Sequence, residues 1–195
     1  MGKIFYVMGK SASGKDTIYK ELVRRLPGLQ TVRMYTTRPV RDGEQDGVEY
    51  YFTDRKFLEK CRRENRLIEC RTYDTVYGPW SYFTVDDGQI DLGRGSYLMM
   101  GTLESYERLM EYYGREAMVP IYIHVEDGLR LGRALEREKR QKQPKYAEMC
   151  RRYLADEQDF CRENLERCGI GRQYENVVLE ECIREITEEI RRLCE

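Results

Sequence analysis

The stretch Gly9-Lys10-Ser11-Ala12-Ser13-Gly14-Lys15 constrains this 195-residue chain more than any other. It fits G-x-x-x-x-G-K, a loop whose successive backbone N–H groups can wrap a triphosphate. The lysine adds a mobile cation there, and the following helix N-terminus adds its dipole. The flanks supply the context that such a loop needs. Lys3 to Met8 is an apolar, aromatic run that reads as a buried strand, and Ile18, Leu22, Val23 and Leu26 recur at helical spacing until Pro27-Gly28 stops the helix. The position after Lys15 departs from the pattern. Asp16, followed by Thr17, stands where a Ser or Thr hydroxyl would ligate Mg²⁺. A carboxylate can hold Mg²⁺ directly or through water, so Asp16 is the candidate metal ligand.

Beyond the loop, strands are expected over Thr31–Thr36, Tyr50–Phe52, Leu67–Tyr73, Ser96–Met100, Met118–Val125 and Tyr174–Leu179. Helices are expected from the capping Asp54 through Cys61, over Val85–Leu92, Thr102–Tyr113, Glu126–Lys142 and Lys145–Arg167, and finally along Ile183, Ile186, Ile190 and Leu193. Asp74 to Tyr82 reads as a turn around Gly78-Pro79. Alternating strands and helices imply an α/β fold, a three-layer α/β/α arrangement with a parallel sheet at its core. Residues 126–167 are rich in both charges and poor in large apolars, so they read as a mobile helical hairpin lying over something rather than as core.

Charge and cysteine usage narrow the function. The 34 basic and 35 acidic residues give a net charge of −1, which argues against a nucleic-acid or anionic-membrane partner. No apolar run reaches bilayer-spanning length. Seven cysteines without a Cys-x-x-Cys and a single histidine, His124, speak against a zinc site and for reduced thiols in a cytoplasmic protein. One histidine also argues against Ser-His-Asp or Cys-His catalysis.

A second informative stretch runs Thr36-Thr37-Arg38-Pro39-Val40-Arg41-Asp42-Gly43-Glu44, then Asp46-Gly47-Val48-Glu49-Tyr50-Tyr51-Phe52. Arg38 and Arg41 in a turn-rich loop can form a fork for a phosphate. Tyr50 and Tyr77 could add phenolic donors to the same phosphate. Glu69 is a carboxylate that could accept paired N–H donors from a base. Taken singly, each arginine reads equally well as an ordinary surface charge.

The ordered series of phosphate loop, Thr36-Thr37-Arg38-Pro39, Arg41, Gly43-Glu44, Gly47, Tyr50, Phe52, Leu67-Ile68-Glu69 and Tyr77-Gly78 resembles the guanylate kinase family. The resemblance implies a parallel-sheet core (1–34, 95–125 and 168–195), a small β-rich GMP-binding subdomain (35–94) and a helical lid (126–167). It implies ATP-dependent phosphoryl transfer to a nucleoside monophosphate, GMP to GDP, with Mg²⁺, in a monomer or homodimer. Carried over by position, Gly9, Lys10, Ser11, Ala12, Ser13, Gly14, Lys15, Asp16, Thr17 and Arg133 would hold ATP. Arg38, Arg41, Tyr50 and Tyr77 would hold the GMP phosphate, and Glu69 would read the guanine N1–H and 2-amino edge. Lys15, Arg38, Arg137 and Arg152 would neutralise charge on the transferring group. Arg133 and Arg137 share a helix face, which with Glu136 and Glu138 reads equally as a solvated face.

The chain departs from the family at several positions. No Asp follows Leu98-Met99-Met100-Gly101, Pro79-Trp80 replaces a small hydroxyl residue, and Met34-Tyr35 replaces serines. Gly-Lys-Asp in the loop and Gly101 are similar to a ribose 1,5-bisphosphate kinase, the alternative acceptor. A catalytically weak binding module is a third reading, and Gly14-Lys15 argues against it.

Overall fold

The computed structural model describes residues 1–41, 43–75 and 78–194. The tyrosine expected at the acceptor phosphate, Tyr77, lies outside the described residues, as do Asp42, Val76 and Glu195.

Five parallel strands form the main sheet: β1 (Ile4–Met8), β2 (Gln30–Thr31), β7 (Tyr97–Met100), β8 (Met118–His124) and β9 (Gln173–Glu175), in the order β2-β7-β1-β8-β9. Every residue of β1 is buried, as a central strand covered on both faces requires. Its pleat divides the core. Ile4, Tyr6 and Met8 pack with Leu103, Tyr106 and Leu109 of α3 (Leu103–Tyr113), whereas Phe5 and Val7 pack with Ile18 and Leu22 of α1 (Lys15–Arg25) and Ile183, Ile186 and Ile190 of α7 (Leu179–Cys194). Each such fully buried aliphatic contributes roughly 1.5–3 kcal/mol, which makes this three-layer stack the main source of stability. The expected parallel α/β/α core is therefore present.

A second sheet, β4-β3-β6-β5, is built from β3 (Tyr35–Thr36), β4 (Tyr51–Phe52), β5 (Leu67–Thr75) and β6 (Gly78–Val85). Here β6 runs antiparallel to both β5 and β3. Helix α2 (Arg55–Arg63) starts where expected, because the Asp54 carboxylate accepts from the Phe57 N–H at 2.8 Å. Phe57, Phe83 and Tyr35 then stack into a small separate core.

Five expectations need correction. The single strand over Thr31–Thr36 is two, β2 and β3, in different sheets. The Gln89 side-chain amide takes over the backbone of Arg33 between them, accepting from its N–H at 2.8 Å and donating to its C=O at 3.1 Å. Of the expected turn over 74–82, the described residues 74–75 and 78–82 are the ends of β5 and β6, paired as Asp74–Pro79 and Thr75–Gly78. Pro79 is tolerated because β3 reaches only Tyr82 and Phe83 of that strand. No helix forms over Val85–Leu92. Asp87 and Asp91 carboxylates capture the N–H groups of Gln89 and Gly93, and Gly88 has φ 83°. The Lys145–Arg167 helix is two, α5 (Tyr146–Asp159) and α6 (Arg162–Arg167). The break turns Phe160 inward to stack on Tyr122 at 5.4 Å, so this region does contribute to the core. The last strand, expected over Tyr174–Leu179, is only Gln173–Glu175.

Candidate active site

Strands β1 and β7 pair in parallel with Val7 opposite Met100, so the loops leaving both open at the same carboxyl edge of the sheet, where ligands of such sheets bind. The loop after β1 is Gly9–Gly14. Ala12 at φ 64° and Gly14 at φ 86° are left-handed, a wrapping that turns backbone N–H groups to one side. Gly9 is required by space: a Cβ there would come within 2.6 Å of the Ile123 carbonyl and 2.8 Å of Ser13 Oγ. Gly14 caps α1 without any side-chain acceptor, which leaves the first-turn N–H groups to an anion. Asn176, just after β9, donates to the Ser13 carbonyl at 2.7 Å and ties the loop to the far edge of the sheet. Ser13 Oγ is buried with no partner.

Lys15 and Asp16 open onto a cleft of about 990 Å³ that three regions of the chain share. The small sheet contributes Arg41 and Tyr50, the edge after β7 contributes Gly101 and Thr102, and α5 contributes Arg151 and Arg152. Burial pushes the Tyr50 phenol up, so it stays protonated as a donor at neutral pH. Arg41 stands over the Trp80 ring at 6.0 Å.

Arg38 is placed differently. It is 3% exposed, gives both Nη atoms to Glu44 at 2.8 and 2.9 Å, and gives Nε to the Tyr82 hydroxyl at 3.2 Å. Glu44 also accepts from the Arg41 N–H at 2.9 Å, so Arg38 braces the turn that carries Arg41. Glu69 is likewise enclosed. Its side chain is fully buried, with Oε2 accepting from Arg71 Nε at 2.9 Å and Oε1 accepting from Thr84 at 2.8 Å and from Arg71 Nη2 at 3.4 Å. It is Arg71 and not Glu69 that lines the cleft. Burial opposes the Arg71 charge, but the attraction of Glu69 outweighs it and holds the group protonated.

Gly101 has no room for a side chain. A Cβ there would lie 2.0 Å from the Tyr6 hydroxyl, which is itself 2.5 Å from Ser105 Oγ.

The charged hairpin is pinned to the phosphate loop by Arg130 of α4 (Asp127–Lys139), which is 1% exposed. Arg130 bonds Asp127 at 3.1 Å, Asp156 at 3.4 Å and Glu157, with its guanidinium 4.0 Å from the Tyr153 ring centroid. All three acids reach the loop. Asp156 accepts from the Ser11 N–H at 2.7 Å, and Glu157 and Asp127 pair with Lys10 at 2.7 and 3.5 Å. Arg152 borders both the cleft and a small recess it shares with Arg137, Arg130 and Ser11. Arg133 faces away, 3.5 Å from the Val177 carbonyl. Glu148 clasps Arg151 and Arg152 at 2.7 and 2.8 Å, and these hydrogen bonds hold its carboxyl down at about 2.

Sequence reading missed Arg71, Arg130, Arg151 and Asp156. Arg71 carried a signal, because it stands two residues from Glu69 on one strand and so shares its face. Arg130 and Asp156 lie 26 residues apart on two helices, and no spacing pairs them.

Comparison with known proteins places the fold. Residues 1–83 match the family model for guanylate kinase. The guanylate kinase of Bradyrhizobium diazoefficiens is 40% identical over 78 residues, which cover 40% of this chain and 36% of that protein. That of Thermobifida fusca is 45% identical over 67 residues, 34% of each chain. The aligned stretch thus spans about a third of the length of the curated relatives it matches. The crystal structure of guanylate kinase from Anaplasma phagocytophilum superposes with a TM-score of 0.65 at 22% identity, covering 99% of this chain and 86% of that one. Residues 1–83 therefore carry the guanylate kinase signature in sequence, and the chain carries the guanylate kinase fold over nearly its whole length.

Proposed function

We propose that this chain transfers the terminal phosphoryl group of ATP to a nucleoside monophosphate, with GMP the favoured acceptor and GDP and ADP the products. The observation that carries the reading is the shared cleft: Lys15 and Asp16 of the phosphate loop, Arg41 and Tyr50 of the small sheet, and Arg151 and Arg152 of the hairpin face one space. A donor phosphate at Lys15 and an acceptor phosphate at Arg41 and Tyr50 would meet there. An acceptor phosphate oxygen is already ionised at neutral pH, so it attacks the γ-phosphorus without a general base. The bond to the β–γ bridging oxygen breaks, and ADP leaves with that electron pair. Catalysis is then positioning plus charge stabilisation.

Lys15 and the uncapped N-terminus of α1 stabilise the donor phosphates. Arg152 is the hairpin arginine best placed to follow the charge of the transferring group, with Arg137 behind it. Mg²⁺ suits the site, because Asp16 offers an exposed hard oxygen in the cleft, 3.8 Å from the Lys15 ammonium. When bound, the ion neutralises charge shared by the donor phosphates. In this reading residues 35–94 bind the acceptor, residues 126–167 form a lid, and the remainder is the core. Closure of the lid excludes water and protects ATP from hydrolysis. Seven free cysteines suit a reducing, cytoplasmic setting.

The test is a coupled ADP-release assay on two variants. Lys15→Met is expected to abolish turnover with an unchanged melting temperature, and Arg41→Ala to raise KM for GMP while leaving KM for ATP unchanged. Full turnover in Lys15→Met, or an Arg41→Ala effect confined to ATP, contradicts the assignment.

A further inference from the structure

The acceptor end of the cleft presents a guanidinium where a carboxylate was expected. Arg71 has five N–H donors. Two are spent on Glu69, and Nη1 donates to Thr102 Oγ1 at 3.0 Å. On the cleft side the group meets the Met34 sulfur, a weak acceptor 3.7 Å from Nη2, and the Tyr73 phenol, whose oxygen also accepts from it. Met34 and Tyr73 both line the cleft, and Tyr73 is 46% exposed, so both can yield to a ligand. The position of the guanidinium is fixed from three directions: Glu69 on its own strand, Thr84 behind Glu69 on β6, and Thr102 at the N-terminus of α3.

The charge of this group is already balanced by Glu69, at 2.9 Å with both side chains buried. A neutralised guanidinium suits neutral acceptors, a carbonyl oxygen or a ring nitrogen, more than a phosphate dianion. Arg41 and Tyr50 are the groups suited to the dianion. The remaining donors of Arg71 are therefore suited to the base. An arginine fork meets guanine at O6 and N7, two acceptors side by side, whereas adenine offers N7 beside an amino donor that opposes the fork.

Resting on the nucleotide-kinase reading above, we infer that Arg71 is the base-reading residue of this site, that it selects 6-oxopurines through O6 and N7, and that Glu69 is a positioning residue which holds it. The consequence distinguishes this arrangement from a carboxylate reader. A carboxylate on N1–H and the 2-amino group rejects a base lacking that amino group. A fork on O6 and N7 does not sense the 2-amino group, so IMP becomes a substrate comparable to GMP.

The first experiment uses the unaltered protein, so its outcome does not depend on the folding of a variant. With saturating Mg-ATP, kcat/KM is measured for GMP, IMP, 7-deaza-GMP, AMP and ribose 1,5-bisphosphate. The expected order is IMP within about 10-fold of GMP, 7-deaza-GMP about 10-fold or more below GMP for want of N7, and AMP about 100-fold below. IMP rejected as strongly as AMP, with 7-deaza-GMP equal to GMP, overturns the inference while leaving the kinase reading intact. Turnover of ribose 1,5-bisphosphate with none of GMP overturns both, and makes Arg71 a second phosphate site. The variant Arg71→Lys keeps the charge beside Glu69 and loses the fork. Its GMP-to-AMP preference is expected to fall at least 10-fold, chiefly through KM, and an unchanged preference contradicts the role.

Discussion

Replacing Glu69 by Gln tests the buried pair beneath the cleft. The two side chains are 0% and 6% exposed, so the charge on Arg71 has little water to fall back on once its partner is neutral. Removing one member of a buried pair costs about 3–5 kcal/mol. Gln keeps the size and one carbonyl acceptor for Arg71 or Thr84, which places the expected loss at about 3 kcal/mol. In a chain of this length each kcal/mol moves the melting temperature by about 2–4 °C, so Glu69→Gln is expected to melt about 6–12 °C lower. Arg71→Met should cost a similar amount, because it strands Glu69 with only the Thr84 hydroxyl. The double variant removes both charges together and is expected to be no less stable than either single one, a coupling of about 3 kcal/mol or more. Thermal melts and urea titrations followed by circular dichroism read all four proteins. A Glu69→Gln melt within 2 °C of the parent, or single effects that simply add, would contradict a buried pair whose members depend on each other.

Three further outcomes follow from other contacts. Gly101→Ala drives a methyl onto the Tyr6 hydroxyl and Ser105, so it should cost about 2–3 kcal/mol in urea unfolding. The same substitution in a Tyr6→Phe background should cost at least 1 kcal/mol less, and equal costs would contradict the contact. The Glu148 carboxyl is held at about 2 by Arg151 and Arg152, below its unfolded value near 4.3, so its contribution is present above that value and lost as pH falls towards 2. Because these side chains are partly exposed the effect is under about 1 kcal/mol, and an acid titration of stability should show it in the parent and not in Glu148→Gln. Asp156 holds the Ser11 N–H that a phosphate would need, so Asp156→Asn is expected to lower KM for ATP about 5-fold with KM for GMP unchanged; a raised or unchanged KM for ATP contradicts the competition.

The core was legible because its signals are local. The apolar run before Gly9, the spacing of Ile18 and Leu22, and the isoleucine stripe of α7 each report a period that a helix or strand must satisfy. The phosphate loop was legible for the same reason. On the acceptor side Arg41 and Tyr50 were legible, but the surroundings of Glu69 and Gly101 were not, because their decisive contacts join residues far apart in the chain. Gln89 replaces a ladder partner for Arg33, Thr102 reaches Arg71 from 31 residues away, and Tyr6 fills the space of a side chain at position 101. From the sequence, Tyr6 was only a strand residue and Glu69 only a free carboxylate. The neutralising arginine two positions on changes what that carboxylate can do.

Phosphoryl transfer from ATP to GMP in the cleft between Lys15 and Arg41 can be followed by ³¹P NMR of the purified chain with ATP, Mg²⁺ and GMP, with Lys15→Met run in parallel. The GMP resonance is expected to disappear as GDP and ADP grow in equal amounts, and the Lys15→Met spectrum to stay unchanged. ADP and inorganic phosphate without GDP, or GDP formed equally by Lys15→Met, would contradict that transfer.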